Sequence, residues 1–282
     1  MDHAQIVFTR FNGDGTEMFN DLYAIDLDGK NETRLTTNPG PNGEYVDNAA
    51  PRYNKDRTLI AFVSTRNHEK RLYNIFLMDR ATGKTAQITH GDLNISSVDW
   101  SADDSTLVFA GADKSGLQQV HRVTMDGTGF ATLTTGPAEH MNPMWSPRGD
   151  LIAFVQFPVG TKSSHIWVMD PAGGNMRRLT TDDVPHANPS WSPDGSWLIF
   201  QCDLGTPHLR RLNVDSGEIV PYEPPSRGAD SSPIWHGNDI VFSSNCDWED
   251  ADALASLYRM SETGANIQRI TTTQAYDYCG DW

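Results

Sequence analysis

The chain has 282 residues and a formal net charge of −15, with 37 acidic residues against 22 lysines and arginines. This excess of negative charge argues against nucleic acid or an anionic membrane surface as a partner, since both repel acidic proteins. The longest apolar runs are about the length of a β-strand, far below the roughly 20 residues of a membrane-spanning helix, so no membrane span is expected.

The three cysteines, Cys202, Cys246 and Cys279, follow no recognisable spacing. An odd, unpatterned set suits buried thiols or a reducing compartment better than a disulfide framework, and we expect none of them to be functional. The first residues lack a basic stretch followed by an apolar run. This predicts a cytoplasmic protein as the sequence stands, or a periplasmic one if a leader was removed before Met1.

One strand pattern recurs along the chain. An apolar strand at residues 6–8 is followed by an alternating strand at 22–26 and a short strand at 34–36, and equivalent sets follow downstream. An aromatic residue ends an additional strand every 44 to 47 residues; these anchor residues are Tyr53, Trp100, Trp145, Trp191, Trp235 and Trp282. A period near 45 residues that contains only strands is typical of a four-stranded propeller blade.

The two chain ends complement each other. The chain starts directly at an apolar strand, and it ends directly after an anchor strand at residues 276–282. Paired, the two fragments complete one blade and leave no open sheet edge. The sequence therefore predicts an all-β, six-bladed β-propeller with four-stranded blades, closed by pairing of the C-terminal strand with the N-terminal blade. Residues 1–282 are expected to form this single domain.

The turn after the anchor strand is the most distinctive motif. Residues 189–195 read Pro-Ser-Trp-Ser-Pro-Asp-Gly, residues 166–170 read Ile-Trp-Val-Met-Asp, and residues 177–180 read Arg-Arg-Leu-Thr. In the turn, proline presets φ and glycine accepts a positive φ. This pattern resembles the TolB-type propeller repeat over essentially the whole chain. Because the motif residues build turns and core, the resemblance implies the fold, and function has to be argued from the loops.

Propeller connectivity places the long loops on one face, which we call the loop face. It comprises the loops between the second and third strands of each blade and the connections between blades. Long loops on a rigid scaffold are where binding usually occurs. The loop face is rich in carboxylates, among them Asp21, Asp47, Asp92, Asp182 and Asp183. Such a surface favours a cationic ligand, a metal ion or a basic protein patch, with a merely solubilising acidic surface as the alternative.

Positions just before each anchor residue should line the central channel. Five residues before the anchors stand Asn48, Ile95, His140, His186, Asp230 and Asp277; three before stand Ala50, Ser97, Asn142, Asn188, Ser232 and Cys279. The two sets differ by two positions, so in a regular strand they share a side. His140, His186, Asp230 and Asp277 would then converge on the axis.

Two imidazoles and two carboxylates can hold one divalent cation, such as zinc, manganese, iron or nickel. Asn142, Asn188 and Ser232 would support these ligands by hydrogen bonds. Two alternatives stay open at this stage: a water-filled polar channel, and purely structural hydrogen-bonded pairs.

Two functions from different classes follow. The first is a non-enzymatic binding module, because TolB-like propellers act mostly through protein or peptide contacts. Its partner would be a protein, a peptide or a small cationic ligand, and no strand edge requires a second copy. The channel-mouth residues expected to serve it are His140, His186, Asp230, Asp277, Asn142, Asn188, Glu139, Trp248, Tyr276 and Tyr278.

The alternative is a metal-dependent carbohydrate-active enzyme that resembles oligogalacturonate lyase. That family builds a manganese site from histidines and a glutamine at the channel mouth. This sequence departs from it, with six predicted blades instead of seven, two histidines on the ring and no matching glutamine. A lyase also needs a base to remove the proton next to a carboxylate. No residue is assigned as catalytic.

Overall fold

The computed structural model describes residues 5–13, 18–37, 45–222, 228–245, 254–273 and 275–281. These residues form twenty-four β-strands and no helix, arranged in six four-stranded antiparallel sheets. The predicted all-β, six-bladed propeller is confirmed. None of the described segments is a long apolar helix of the kind that crosses a membrane.

The blades follow one another along the chain. In blades 2 to 6 the strands lie in sequence order from the axis outwards, whereas in blade 1 the last strand of the chain is innermost. Blade 1 contains β24 (Tyr276–Asp281), β1 (Gln5–Gly13), β2 (Met18–Asp26) and β3 (Thr33–Arg34). Blade 2 contains β4 (Asn48–Tyr53), β5 (Leu59–Ser64), β6 (Asn74–Asp79) and β7 (Thr85–Gln87). Blade 3 contains β8 (Asn94–Trp100), β9 (Thr106–Ala112), β10 (Gln118–Thr124) and β11 (Ala131–Thr132).

The second half of the ring repeats this order. Blade 4 contains β12 (Glu139–Trp145), β13 (Ile152–Phe157), β14 (His165–Met169) and β15 (Arg177–Arg178). Blade 5 contains β16 (His186–Trp191), β17 (Trp197–Asp203), β18 (Pro207–Asn213) and β19 (Ile219–Pro221). Blade 6 contains β20 (Asp230–His236), β21 (Asp239–Ser244), β22 (Ser256–Ser261) and β23 (Gln268–Arg269).

The ring closes in blade 1 through the two chain ends. The last strand, β24, pairs antiparallel with the first, β1, with Phe11 opposite Tyr276 and Arg10 opposite Asp277. Arg10 donates from Nε to Asp277 Oδ1 at 2.7 Å and from Nη2 to Asp277 Oδ2 at 3.0 Å. The predicted closure is therefore confirmed, and a buried two-point ion pair joins the ends.

The core lies between neighbouring blades. The second strand of each blade is buried on both faces, as Leu107, Val108 and Phe109 show with no exposed surface. This explains why these strands are continuous apolar runs instead of alternating ones. Among the described residues, one apolar cluster fills each of the six interfaces between adjacent blades. Each fully buried phenylalanine contributes about 1.5–3 kcal/mol of hydrophobic stabilisation.

Every innermost strand contains a β-bulge. In blade 4, Met141 pairs with Val155 and Met144 pairs with Ala153, so one extra residue is inserted in β12. The equivalent shift occurs in the innermost strands of the other five blades. In blades 2, 4, 5 and 6 the first bulged residue is left-handed, namely Ala50, Asn142, Asn188 and Ser232, with φ between 48° and 51°. Asparagine tolerates this conformation better than most residues.

Candidate functional site: an axial cavity on the loop face

A cavity of about 470 Å³ lies on the propeller axis, at the loop-face end. Its volume falls in the range of small-ligand sites, about 300–1,000 Å³. We call it the axial cavity. Its lining consists of Thr9, Phe11, Asn20, Ala49, Ala50, Arg52, Ser96, Ser97, Val98, Asn142, Pro143, Met144, Asn188, Pro189, Ser232, Pro233, Ile234 and Tyr278.

The bulge residues present amides and hydroxyls to this cavity. Asn188 Nδ2 donates to Gln201 Oε1 at 3.2 Å and lies 3.5 Å from Ser232 Oγ. The Asn142 side chain makes no hydrogen bond to the residues that the structure describes, and buried Ser97 Oγ has no partner there either. The bulge positions around the axial cavity therefore offer uncharged hydrogen-bonding groups that a ligand can pair with.

Aromatic side chains form part of the rim. Tyr276 and Tyr278 stack with ring centroids 6.1 Å apart and planes at 15°, and they remain 38% and 43% exposed. Tyr278 also lines the cavity beside Phe11. Burial, and then the neighbouring Tyr276, raise the pKa of Tyr278, which therefore presents a neutral hydroxyl at physiological pH. Stacked, half-exposed tyrosines suit contact with an apolar or planar ligand group.

Of the remaining expected mouth residues, Asn142 and Asn188 lie on the cavity wall. Glu139 begins β12 and is half-buried, but it does not line the cavity. Trp248 lies outside the described residues, as do several acidic residues of its loop.

The two ring histidines lie buried between blades instead of lining the axis. His140 is 3% exposed, with Nδ1 3.0 Å from Gln119 Oε1 and Nε2 3.1 Å from Gln156 Nε2. Burial lowers the pKa of His140. His186 is fully buried and packs against Phe200.

The two ring carboxylates are buried as well. Asp230 accepts a hydrogen bond of 2.6 Å from Ser244, and burial raises the pKa of Asp230. Asp277 is held by Arg10. Neither lines the axial cavity.

The expected convergence of His140, His186, Asp230 and Asp277 on the axis is therefore wrong. No three of them bring ligand atoms within 4.8 Å of one another. The β-bulge is the reason. In blades 4 to 6 the register shift begins one residue after His140, His186 and Asp230, so side-chain alternation is interrupted there. In blade 1 the shift lies after Cys279, and Arg10 holds the Asp277 side chain by an ion pair. The later positions of blades 2 to 6 line the axial cavity, namely Ala50, Ser97, Asn142, Asn188 and Ser232. The side chains of His140, Asp230 and Asp277 form hydrogen-bonded contacts away from it.

Most described carboxylates of the loop face are already paired. Asp21 is bonded to Arg34, Asp182 to Arg210, and Asp183 to Ser163. Among the described lining residues of the axial cavity, Arg52 is the one that carries a charge. The cavity is therefore not the acidic pocket that the sequence suggested.

At the opposite end of the axis, polar side chains join the innermost strands. Asp99 Oδ2 accepts from the backbone N–H of Trp145 at 2.7 Å, and Ser190 Oγ accepts from that of Trp235 at 3.1 Å. Burial raises the pKa of Asp99 to about 7. These bonds tie blade 3 to blade 4 and blade 5 to blade 6.

Sequence reasoning missed Arg52, Ser96 and the ring of prolines on the cavity wall. A signal for them exists in the recurring pair of a small or amide residue followed by proline, at residues 50–51, 142–143, 188–189 and 232–233. Proline inside a sheet is confined to edges and bulges, because it cannot donate a ladder hydrogen bond. Four such pairs at the repeat period indicate a bulge in the inner strands of blades 2, 4, 5 and 6.

Comparison with known protein families gives a match to the TolB beta propeller domain over residues 46–162. Among characterised relatives, the Tol-Pal system protein TolB of Gluconobacter oxydans is 27% identical over 201 residues, which cover 55% of this chain and 42% of that protein. An uncharacterized peptidase, YuxL of Bacillus subtilis, is 32% identical over 105 residues, which cover 36% of this chain and 16% of YuxL. The chain thus matches less than half the length of either relative.

Solved structures agree on the fold. TolB from Acinetobacter baumannii superposes with a TM-score of 0.79 at 18% identity, covering 100% of this chain and 68% of that one. An oligogalacturonate lyase in complex with manganese superposes with a TM-score of 0.63 at 15% identity, covering 95% of this chain and 85% of the lyase chain. At these identities the likeness concerns the fold alone.

Six four-stranded blades, closed by the chain ends around an axial cavity, define the class as a closed six-bladed β-propeller built from TolB-type repeats. Within that class, the match to the TolB beta propeller domain over residues 46–162 and the superposed TolB structure show that this chain has a TolB-like propeller fold.

Proposed function

We propose that this protein is a binding scaffold whose axial cavity receives an extended, uncharged peptide segment of a protein partner. The observation that carries the proposal is the ring of uncharged hydrogen-bonding groups at the bulges. Asn142 and Ser97 have no side-chain partner among the described residues, although both face the cavity. A peptide backbone supplies alternating donors and acceptors that such groups can pair.

The rest of the cavity supports the same ligand class. Prolines 143, 189 and 233 form an apolar wall, and Tyr278 offers a ring surface at the rim. Pockets of this kind combine apolar contact area with a few oriented polar groups. The single cationic lining residue, Arg52, makes a small cationic ligand a poorer fit than a neutral or anionic one. One relative is named Tol-Pal system protein TolB, and this similarity is consistent with a protein partner.

The test is selection of binding peptides from a random-peptide display library on the immobilised full chain. Selected peptides are then measured against the double variant Asn142→Gly/Asn188→Gly. Glycine accepts the left-handed φ at both sites, so this variant removes the amides without straining the strands. Loss of two or three hydrogen bonds is expected to weaken binding about 10- to 100-fold. Tyr278→Ala is expected to weaken it about tenfold.

The matched control is Ala50→Gly, which has the same backbone change in blade 2 and removes no polar group. It should leave peptide affinity unchanged. Recognition by neutral groups also predicts a weak dependence on salt concentration. Peptides that bind the double variant as tightly as the natural chain, or whose affinity falls steeply with salt, would exclude the axial cavity as their site.

No specific observation on the described residues favours the alternative function, a metal-dependent lyase. It requires metal-binding imidazoles at the channel mouth, whereas His140 and His186 lie between blades. Cellular location stays a prediction: the TolB resemblance favours the periplasm for a chain that carries a leader.

A further inference from the structure

An aspartate, a histidine and a cysteine meet in blade 5, outside the axial cavity. His186 begins β16, Cys202 lies opposite it in β17, and Asp182 lies in the connection between blades 4 and 5. One ligand atom of each lies within 4.8 Å of those of the other two. Within the described part of the chain, no other group of three such side chains does so.

Both ring nitrogens of His186 face hydrogen-bond acceptors. Nδ1 lies 2.8 Å from the backbone oxygen of Ser164, and Nε2 lies 3.1 Å from Asp182 Oδ1. The Ser164 carbonyl places the proton of a neutral ring on Nδ1, which turns the lone pair of Nε2 toward the carboxylate. Neither Nε2 nor Asp182 Oδ1 then has a donor, although His186 is fully buried. Two facing lone pairs require a cation, either a proton or a metal ion.

The geometry and the ligand types suit a tetrahedral metal. Zinc bonds of about 2.0 Å to nitrogen and oxygen place neighbouring ligand atoms about 3.3 Å apart. The observed separation of 3.1 Å between His186 Nε2 and Asp182 Oδ1 is close to this value. The thiolate of Cys202 is a soft ligand, which selects zinc over magnesium or calcium. Three protein ligands leave a fourth position for water.

The surroundings orient the ligands as metal sites require. The bond from His186 Nδ1–H to a carbonyl is the outer contact that metal-binding histidines usually make. Arg210 Nη1 donates to Asp182 Oδ2 at 3.1 Å, so the other carboxylate oxygen stays directed at His186. The Asp182 side chain is 38% exposed, which provides an entry path for the ion from solvent.

We propose that Asp182, His186 and Cys202 bind one zinc ion, which ties the connection between blades 4 and 5 to the sheet of blade 5. The ion would hold the start of β16, and Asn188, two residues further on, lines the axial cavity. This site is distinct from the four-residue ring expected on the axis, with which it shares His186 alone.

The test is titration of the chelator-treated full chain with zinc chloride and with cobalt chloride. Metal mass spectrometry and calorimetry give stoichiometry and affinity, and cobalt–thiolate absorption in the near ultraviolet reports a sulfur ligand. Cys202→Ser is the main variant. Serine occupies the corresponding position in blades 2 and 6, as Ser64 and Ser244, so the variant is expected to fold. Asp182→Asn removes a second ligand at a partly exposed position.

The matched control is His140→Asn. His140 occupies the position of His186 in blade 4, and asparagine occupies it in blade 2 as Asn48. We expect one zinc per chain, a cobalt–thiolate band that disappears in Cys202→Ser, and affinity at least about 100-fold weaker in both ligand variants, since changing even an outer contact costs 10- to 100-fold. His140→Asn should bind as the natural chain does.

Absence of stoichiometric zinc binding would overturn the proposal and assign the cation beside His186 to a proton. Zinc binding that survives in both Cys202→Ser and Asp182→Asn would overturn it as well, because the ion would then lie elsewhere. If Cys202→Ser fails to fold, as judged by circular dichroism, Asp182→Asn decides between the outcomes.

Discussion

The substitution Asp99→Asn should make the protein more stable at neutral and alkaline pH. Asp99 lies at the inner end of blade 3, where its carboxylate accepts a hydrogen bond from the backbone of Trp145. An asparagine can keep this bond through its side-chain oxygen, so the substitution removes the charge and preserves the contact.

The magnitude follows from the pKa of Asp99. This pKa is raised from 3.8 to about 7, chiefly by burial and to a smaller extent by Asp281, against the opposing effects of Arg52, whose Nε is 3.8 Å away, and of the N–H of Trp145. At about 1.4 kcal/mol per pKa unit, the whole shift corresponds to about 4 kcal/mol.

The sign follows from proton binding in the two states. Between about pH 4 and pH 7, the folded protein holds a proton on Asp99 that the unfolded chain has already lost. The free energy of unfolding of the natural protein therefore falls as pH rises through this window and levels off above pH 7. The variant lacks this fall, so its advantage grows from nearly nothing at about pH 4 to about 4 kcal/mol at about pH 8.

Urea unfolding at a series of pH values measures this difference. Ser190→Ala is the control, because Ser190 occupies the same position in blade 5 and accepts the same kind of bond without a charge. Loss of this hydrogen bond should lower the free energy of unfolding by about 1 kcal/mol at every pH. Parallel pH curves for Asp99→Asn and the natural protein would refute the reasoning, and would mean that pairing with Arg52 outweighs burial.

Two other substitutions test the ring closure and the bulges. Asp277→Asn leaves Arg10 with Glu32 as its one remaining acidic partner, so the free energy of unfolding should fall by about 3 kcal/mol, the lower end for a broken buried pair. The control for this substitution is Lys70→Met, which breaks an exposed ion pair and should leave the urea midpoint unchanged. Ala50→Gly removes a left-handed alanine and should raise the melting temperature, by the equivalent of about 1 kcal/mol; a lower melting temperature would show that the bulge in blade 2 is not strained.

The sequence by itself determined the architecture. Strand alternation, apolar runs, turn residues and the anchor period can be recognised in the sequence, because each is a pattern of residue types at short or regular spacings along the chain. The composite blade also followed from the sequence, since a missing first strand at one chain end matched a surplus strand at the other. The six four-stranded sheets confirm the predicted architecture, and the pairing of β24 with β1 confirms the composite blade.

The tertiary structure alone decided which side chains share a site. A single inserted residue in each inner strand placed Asn142 and Asn188 on the axis and turned His140 and His186 away from it. Side-chain alternation is counted residue by residue, so one bulge reverses every inference drawn across it. The meeting of Asp182, His186 and Cys202 likewise depends on a connection that folds back against its own blade. Contacts of this kind have no period in the sequence, because the packing of distant segments creates them.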